Sequence, residues 1–413
     1  MATPVARLDT VWLALVATGI ALVSATDGSP GWCILRLVVI ATLCGGVAIG
    51  ARRWHPAASA IALVAVGTIA ATVGGTIGVS YLTTTGLTVK SAGGLLALAG
   101  GVGAIATGAT RLVRRSRGWR RALVVPIAAV TGYAVVMPLA IAVYATNVPR
   151  PSLGSTTPAD VGLDFVDAVL TTSDGVRLSG WYVPSANGAA VVLLHGASST
   201  RSNVLGHAAV LARHGYGVLL YDARGHGCSD GRAMELGWYG DLDVAAAVDF
   251  LTARPDVDAR RIGAIGMSMG GEQVIGALAA DDRLVAAVAE GATNRVFDDK
   301  AWLTHRYGLR GWVQRVTDWT TYHLADVLTA ASPPQSLRRS VLDAEPRPVL
   351  LIAAGMEPDE RHAGEWIREA SPSSVELWVV PEAGHTGGLR TSPAAWESRV
   401  IGFLDEHLAA DHP

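Results

Sequence analysis

The sequence predicts two fold classes in one chain, an all-α bundle of about five transmembrane helices followed by an α/β domain with a mostly parallel sheet. The first 146 residues contain five long apolar stretches, whereas later residues alternate short apolar runs with helical patterns. Only 16% of the 413 residues are charged. Soluble globular proteins are about a quarter charged, so we expect part of this chain to avoid water.

The five apolar stretches are mostly close to the length that crosses a bilayer as a helix, about 20 residues. They cover residues 10–25, 32–50, 57–81, 89–109 and 122–145. The first could be the apolar part of a signal peptide, but another apolar stretch follows it almost at once. We therefore expect five membrane spans within residues 1–146.

Basic residues are concentrated in alternate loops between these stretches. The fourth loop is the richest, and its region carries Arg111, Arg114, Arg115, Arg117, Arg120 and Arg121. The loops near residues 27–31 and 83–85 have no basic residue. Short loops rich in arginine stay in the cytoplasm, so we expect a cytoplasmic N-terminus and a C-terminal domain outside it. Arginines between apolar spans indicate topology, and we expect no nucleic-acid partner.

Small residues are frequent in the apolar half. Gly-Gly pairs begin at Gly45, Gly74, Gly93 and Gly100. Such residues let membrane helices approach closely, so we interpret them as packing positions and not as a transport pathway. Residues 147–159, rich in Pro, Ser and Thr, are predicted to be a linker.

From residue 160 to residue 413 the pattern is that of a sheet covered by helices. Two stretches around the turn residues Ser173 and Gly175 predict antiparallel strands. Six short apolar runs predict buried parallel strands at 190–194, 217–221, 262–266, 285–289, 348–353 and 375–380. Helical patterns follow most of them, at 202–214, 238–254, 270–280, 365–370 and 394–408.

Residues 293–345 interrupt this alternation and predict a helical cap. The segment contains Trp302, Trp312 and Trp319. These side chains could line a pocket for an acyl group or pack within the cap, and the sequence favours neither.

The segment Gly266–Met267–Ser268–Met269–Gly270 fits the G-x-S-x-G pattern of a nucleophilic serine. A predicted strand precedes it and a helix rich in small residues follows, which is the context that the pattern needs. The glycines relieve crowding at a sharp turn, and the helix start offers N–H groups to developing negative charge. Ser268 is therefore the candidate nucleophile.

A serine hydroxyl needs a base, and the base needs an acid to orient it. His385, in a glycine-flanked loop after the last predicted strand, is the candidate base. Asp359, after the strand at 348–353, is the first choice for the acid, with Glu357 and Glu360 in the same loop as alternatives. Glu290, at the end of the preceding strand, is a further alternative.

Two backbone N–H groups are needed to stabilise the oxyanion of a tetrahedral intermediate. One usually belongs to the residue after the nucleophile, here Met269. The other is expected in the loop after the strand at 190–194, where Ala197 is the candidate donor.

The C-terminal 250 residues or so resemble the α/β-hydrolase superfamily, especially bacterial serine aminopeptidase and dienelactone-hydrolase-like members. The resemblance depends on LLHGASS from Leu193, YDARGHGCSDG from Tyr221, GMSMGG from Gly266 and EAGHTGG from Glu382. It implies an α/β-hydrolase fold. The acid loop departs from the family, because Pro358 stands where a Gly-x-x-Asp spacing has its aspartate.

These observations predict a membrane-anchored serine hydrolase, most simply a carboxylic-ester hydrolase that forms an acyl-serine intermediate. We expect no cofactor and no metal site, and an apolar or lipid-like acyl substrate. A peptidase or amidase with the same triad is the first alternative, because triad spacing does not separate esters from amides. A non-catalytic binding protein on a hydrolase fold is the second.

Overall fold

The computed structural model describes residues 4–26, 30–116, 118, 120–232 and 234–409. Residues 27–29 of the first predicted loop and Arg117 of the arginine-rich loop lie outside the described residues. The chain divides into two compact units. The helical unit comprises Met1–Pro149 and Thr317–Leu328, and the α/β unit comprises Arg150–Val316 and Thr329–Pro413.

The helical unit contains five long apolar helices, which are α1 (Pro4–Ala25), α2 (Pro30–Arg53), α3 (Pro56–Thr85), α4 (Val89–Arg115) and α5 (Arg120–Thr146). Each is long and apolar enough to span a membrane. Helix α4 begins with a capping box, in which Thr88 and Ser91 exchange hydrogen bonds between side chain and backbone. At the other end of α4, Arg111 donates two hydrogen bonds to Asp9 of α1, at 2.8 and 2.6 Å.

Close packing of α3 against α4 depends on glycine. A Cβ atom on Gly94 would lie 2.5 Å from the Cα atom of Gly78, and one on Gly74 would lie 2.5 Å from the carbonyl oxygen of Gly94. Gly93 and Gly100 make similarly close contacts with α1. The pair at Gly45 is different, because a Cβ atom there would meet nothing within 4 Å. The predicted packing role is therefore wrong at that pair.

The α/β unit is built on one eight-stranded sheet. Its strands are β1 (Val166–Thr171), β2 (Arg177–Val183), β3 (Ala190–Leu194), β4 (Gly217–Tyr221), β5 (Ile262–Met267), β6 (Leu284–Glu290), β7 (Val349–Ala354) and β8 (Val375–Val380). The order across the sheet is β1-β2-β4-β3-β5-β6-β7-β8. The pairs β1–β2 and β2–β4 are antiparallel and the others are parallel. This confirms the predicted mostly parallel sheet with an antiparallel start.

Helices cover both faces of this sheet. In chain order, the helices that follow β3 are α6 (Leu205–Arg213), α7 (Gly240–Thr252), α8 (Met269–Ala280), α9 (Trp302–Leu328), α10 (Leu337–Asp343), α11 (Pro358–Arg368), α12 (Gly388–Thr391) and α13 (Pro393–His407). Side chains alternate between faces along a strand, so Val192 of β3 lies in the core beneath α7 and α8 and its neighbour Leu193 in the core beneath α6 and α13. Burial on both faces explains why the central strands are continuously apolar.

The segment between β6 and β7 is helical, as the predicted cap requires. Helix α9 changes direction at Gly308, where φ is +54°. Trp302 at its start is 8% exposed and packs with Leu303 and with Ala363 of α11. Packing is thus the role of this tryptophan. Thr317–Leu328, at the other end of α9, group with the helical unit and not with the α/β unit.

Candidate active site

The serine of the G-x-S-x-G segment lies at a sharp turn between β5 and α8. Its backbone is left-handed, with φ +55° and ψ −120°, which is a strained conformation for a residue with a side chain. A Cβ atom on Gly266 would lie 2.1 Å from the carbonyl oxygen of Gly270, and one on Gly270 would lie 2.6 Å from that of His195. Glycine is therefore required at these two positions, because neighbouring backbone lies too close for a side chain. The turn places the Ser268 side chain beyond the end of β5.

His385 follows β8 in the loop that leads to α12, and its ring reaches Ser268. The Nε2 atom accepts a hydrogen bond from Oγ of Ser268 at 2.9 Å. The amide of Ser268 donates to the carbonyl of Glu290 at 2.7 Å, which fixes the turn against β6. The structure thus brings together the two residues that the sequence predicts as nucleophile and base.

Glu360, in the first turn of α11, is the carboxylate that contacts this histidine. Its Oε1 accepts a hydrogen bond from Nδ1 of His385 at 2.5 Å, and its Oε2 accepts one from the backbone amide of Ala354 at 2.8 Å. The Glu360 side chain is 5% exposed, against 49% for His385. These contacts set the proton on Nδ1 and leave Nε2 free to accept, which is the tautomer that a base requires.

The role predicted for Asp359, as the acid that orients His385, is wrong. Its Oδ1 accepts a hydrogen bond from the hydroxyl of Tyr307 at 2.6 Å. The alternative Glu357 is the N-cap residue of α11, and the carboxylate bonded to Nδ1 of His385 is that of Glu360. The predicted loop is in fact the start of a helix, and side chains of successive helical residues point about 100° apart. Asp359 and Glu360 therefore face different neighbours.

The sequence carries a signal for this helix start. Pro358 occupies the first turn of α11, where proline is favoured, and Asp359 and Glu360 follow in the same turn, where acidic residues are favoured. The predicted helix, 365–370, starts seven residues too late. A correct start still would not identify the acid, because the face that α11 turns toward His385 depends on its packing against β7 and β8.

The further alternative, Glu290, has a different role. Its Oε1 accepts a hydrogen bond from the amide of Gly388 at 2.7 Å, and its Oε2 accepts one from Nε1 of Trp396 at 3.0 Å. The side chain is 2% exposed, and burial raises the pKa of its carboxyl. Glu290 thus holds the start of α12, three residues beyond His385, and positions the loop that carries the histidine.

The charges around His385 favour its protonated form. The hydrogen bond to Glu360 raises the pKa of the imidazole above its ordinary value, and the partial burial of the ring opposes this rise. The charge of Glu272, in the first turn of α8, adds to the rise. Burial raises the pKa of Glu272 itself to about 7, although its Oε1 accepts hydrogen bonds from the amides of Thr293 and Asn294. Glu272 lies four residues after Ser268 and is not among the residues that the sequence predicts for the site.

The loop after β3 lies beside the nucleophile. A Cβ atom on Gly196 would be 3.2 Å from Cβ of Ser268. His195 fixes this loop, because its Nδ1 donates to the carbonyl of Gly196 at 2.8 Å and its Nε2 accepts from the amide of Ala223 at 3.0 Å. Burial lowers the pKa of His195 to about 4, so the ring is neutral near pH 7. The loop continues into Ala197, one of the two candidate oxyanion donors.

The other candidate donor, Met269, is the first residue of α8. The first amides of a helix have no partner within the helix, so this N–H is available to a ligand. The site therefore combines a hydroxyl, a base oriented by a buried carboxylate, and a helix start.

In the part of the chain that the structure describes, no group of three or more His, Cys, Asp or Glu residues could hold a metal ion.

Known proteins resemble the α/β unit. Residues 185–338 match the family described as serine aminopeptidase, S33. An uncharacterised protein of Mycobacterium tuberculosis is 38% identical over 131 residues, which are 31% of this chain and 44% of that protein. The thiohydrolase aneE of Aspergillus aculeatus is 38% identical over 124 residues, 29% of this chain and 39% of that protein. The chain thus spans less than half the length of these two relatives.

A solved structure extends the resemblance to the whole unit. The Pyrococcus furiosus esterase Pf2001 superposes with a TM-score of 0.51 and is 28% identical in sequence. The match covers 64% of this chain and 98% of the esterase. The arrangement of strands and helices in the α/β unit is therefore that of an enzyme domain already known in structure.

Proposed function

The α/β unit of this chain belongs to the α/β-hydrolase superfamily, and on that premise we propose that the protein is a membrane-anchored serine hydrolase that cleaves carboxylic esters. One observation carries the proposal, the continuous line of hydrogen bonds from Ser268 through His385 to Glu360. A hydroxyl bonded to a neutral imidazole, which is itself bonded to a buried carboxylate, is the arrangement that activates serine as a nucleophile.

The proposed reaction follows from these contacts. Oγ of Ser268 attacks the ester carbonyl carbon while Nε2 of His385 takes the hydroxyl proton. The carboxylate of Glu360 stabilises the imidazolium, and the amides of Ala197 and Met269 donate to the oxyanion. The imidazolium then protonates the leaving alcohol, which leaves an acyl-serine. Water, deprotonated by His385, cleaves the acyl-serine by the same steps and returns Ser268 and a carboxylic acid.

The resemblance to the Pyrococcus furiosus esterase, which covers 98% of that enzyme, supports esters as the substrate class. The match to a family described as serine aminopeptidase favours amides as the second candidate, since one triad serves both reactions. The substrate is proposed to carry an apolar acyl group, because the same chain holds five helices suited to a lipid environment. Catalysis is proposed to need no cofactor. Nucleic acid is not proposed as a partner.

Residues 1–146 are proposed to anchor the protein in the cell membrane as five spans. The linker at 147–159 then leads to the hydrolase domain at 160–413, on the face away from the cytoplasm. The distribution of arginines between the apolar stretches supports this orientation. The cap proposed for residues 293–345 is supported by the helical structure of that segment, which includes α9 and α10.

Turnover assays test the proposal. Full-length protein in detergent is expected to hydrolyse a series of p-nitrophenyl acyl esters with burst kinetics, and faster than aminoacyl p-nitroanilides. The variant Ser268→Ala should lose this activity by several orders of magnitude. Turnover of the anilides alone would replace the ester proposal with the amide one, and activity unchanged in Ser268→Ala would overturn both.

A further inference from the structure

Glu272 lies in the first turn of α8, and the reaction sequence proposed above does not use it. Its amide donates to the carbonyl oxygen of Ser268 at 3.0 Å. Its side chain turns to the loop that follows β6, where Oε1 accepts hydrogen bonds from the amides of Thr293 at 3.2 Å and Asn294 at 3.0 Å. One oxygen of this carboxylate therefore ties the helix that begins beside the nucleophile to residues 291–294.

The backbone of residues 291–294, here called the β6 loop, lies beside the imidazole of His385. At its first residue, Gly291, φ is +72° and the amide donates to the carbonyl of Ile352 in β7 at 2.9 Å. A Cβ atom on Gly291 would lie 3.0 Å from Cε1 and 3.1 Å from Nδ1 of His385. Glycine at this position thus lets the loop approach the edge of the ring that carries Nδ1.

Two contacts with α8 hold the β6 loop in this place. Ala292 is 7% exposed, and a Cβ atom on Gly271 of α8 would lie 3.3 Å from its Cβ atom. The next two amides of the loop are those that Glu272 accepts. Only Ala292 separates the glycine beside the imidazole from the first of these amides. The carboxylate and the ring therefore contact the same short piece of backbone.

We propose that Glu272 is a positioning residue for the hydrolytic reaction, which holds the β6 loop against His385 and places a negative charge where it stabilises the imidazolium. The inference rests on the serine hydrolase function proposed above. His385 becomes positively charged when it takes the proton of Ser268, and a nearby carboxylate favours that charged form. Glu360 does this by a direct hydrogen bond, whereas Glu272 acts by its charge and through the loop.

Several carboxylates place charge near His385. They are those of Glu360, Glu272, Glu357 and Glu290. The hydrogen bond to Glu360 raises the pKa of the imidazole most, partial burial of the ring opposes the rise, and the charge of Glu272 adds to it. Loss of the Glu272 charge should therefore lower the pKa of His385.

Glu272 in turn faces two charged groups of the segment that follows the β6 loop. Burial raises the pKa of Glu272 to about 7 and the two loop amides oppose this rise. The charge of Asp299 adds to the rise and the charge of Arg295 opposes it. Arg295 is 2% exposed and is paired with Asp241 at 2.6 Å. Asp299 is thus a second carboxylate of this region, with which Glu272 can be compared.

Two substitutions of Glu272 separate its charge from its contact with the loop. Because both amides donate to one oxygen, the carbonyl oxygen of glutamine can accept both bonds, so Glu272→Gln removes the charge alone. Glu272→Asp keeps the charge, but its side chain is one methylene shorter and cannot reach both amides from the same backbone position.

The titration of His385 is the direct readout. Full-length protein in detergent is isotope-labelled at Cε1 of histidine for NMR, and the His385 resonance is assigned by its absence from His385→Gln. Glu272→Gln should lower the pKa of His385 by several tenths of a unit, and Glu272→Asp should leave it closer to wild type. A pKa unchanged in Glu272→Gln would overturn the proposal, because a purely structural residue would leave it so.

Ester turnover measures the effect on the reaction. In Glu272→Gln the acid limb of kcat/KM should move to lower pH, and kcat above it should fall by up to about tenfold per pH unit of that shift. Glu272→Asp should lower kcat with little movement of the limb, because the loop is released and the charge remains. Equal kcat in Glu272→Asp and wild type would refute the loop contact, and a raised KM with kcat unchanged would contradict a positioning role.

The two proposals fail in different ways. The NMR titration needs no substrate, so its result is independent of whether the protein hydrolyses esters. If wild type turned over no ester while the pKa of His385 shifted as expected, the hydrolase proposal alone would be wrong. If wild type were active and Glu272→Gln matched it in both pKa and rate, the role of Glu272 alone would be wrong.

Asp299 provides the control. Its Oδ2 accepts hydrogen bonds from two amides of its own segment, at 2.9 and 3.1 Å, and its Oδ1 accepts one from the amide of Leu337 at 2.7 Å. Asp299→Asn should destabilise the fold, because one oxygen becomes a donor that faces an N–H group. It should not lower the pKa of His385, since loss of the Asp299 charge favours the ionised form of Glu272. A fall in this pKa equal to that in Glu272→Gln would contradict the proposal.

Discussion

The carboxylate of Glu360 joins two parts of the site. One oxygen accepts from Nδ1 of His385 and the other from the backbone amide of Ala354 at the end of β7. The second bond holds the carboxylate in place, so the first can orient the imidazole. Because the side chain is 5% exposed, little water competes for either oxygen. Removal of this charge should therefore change both the rate and the titration of the histidine.

We expect Glu360→Gln to reduce kcat/KM by roughly 10²–10⁴-fold, the usual contribution of a positioned acid–base group. His385 acts as a base only when neutral, so activity falls as pH decreases through its pKa. Glu360 raises that pKa, so its removal should shift the acid limb of the kcat/KM profile to lower pH. Rates measured from pH 5 to pH 9 on a p-nitrophenyl ester test this.

Asp359→Asn is the matched control. Its carboxylate is bonded to Tyr307 and not to the histidine, so rate and acid limb should stay close to those of wild type. If Asp359→Asn shifted the limb and Glu360→Gln did not, the acid would be Asp359 after all.

At the residue scale, the sequence was sufficient to predict the serine and the histidine that the structure brings into hydrogen-bond contact, but not the carboxylate that contacts this histidine. Ser268 and His385 could be predicted because each stands in a glycine-rich sequence pattern. Such patterns are local properties of the sequence. The choice among Glu357, Asp359 and Glu360 depends on which face of α11 meets the loop after β8. That is a tertiary property, and three neighbouring acidic residues give no local means of deciding.

At the scale of elements, glycine sets the separation of α3 and α4. The backbones meet where Gly78 and Gly94 face each other, and any side chain would force them apart. By contrast, a Cβ atom on Gly46 of α2 would meet nothing within 4 Å. Two glycines in similar apolar sequences thus differ in whether they tolerate a side chain: Gly46 does and Gly94 does not.

We expect Gly94→Ala to destabilise the helical unit by about 1–3 kcal/mol, the usual cost of overpacking. Gly46→Ala should leave stability unchanged or raise it by up to about 1 kcal/mol, because alanine favours the helix more than glycine does. Fluorescence-detected size exclusion after heating in detergent measures the difference. A Gly46→Ala variant less stable than Gly94→Ala would contradict this packing.

The strands were predictable because burial on both faces makes them short continuous apolar runs, and every parallel strand is observed within one or two residues of its predicted bounds. Glycine pairs were a weaker guide. They indicate that backbones can approach, but the sequence does not say which face of a helix meets a neighbour, and the pair at Gly45 meets none.

At the scale of the whole molecule, arginine distribution leads to a prediction about topology. Alkaline phosphatase fused to the C-terminus of the full chain should be active, because that reporter folds only outside the cytoplasm. Fusion after Ser116, between α4 and α5, should be inactive. The reverse pattern would invert the orientation while leaving the site chemistry unaffected.

The two-part organisation was visible in the sequence, since hydropathy and charge both change near residue 150. The grouping of Thr317–Leu328 with the helical unit was not. This segment has mixed polarity and lies within the predicted cap. Only the fold relates it to helices that end more than 170 residues earlier in the chain.

The most direct test of the central claim is covalent labelling of Ser268. Full-length protein treated with a fluorophosphonate probe should form a single phosphonylated adduct, located on Ser268 by peptide mass spectrometry, and Ser268→Ala should remain unlabelled under the same conditions. Labelling of Ser268→Ala as strong as that of wild type, or an adduct on another residue, would contradict the account.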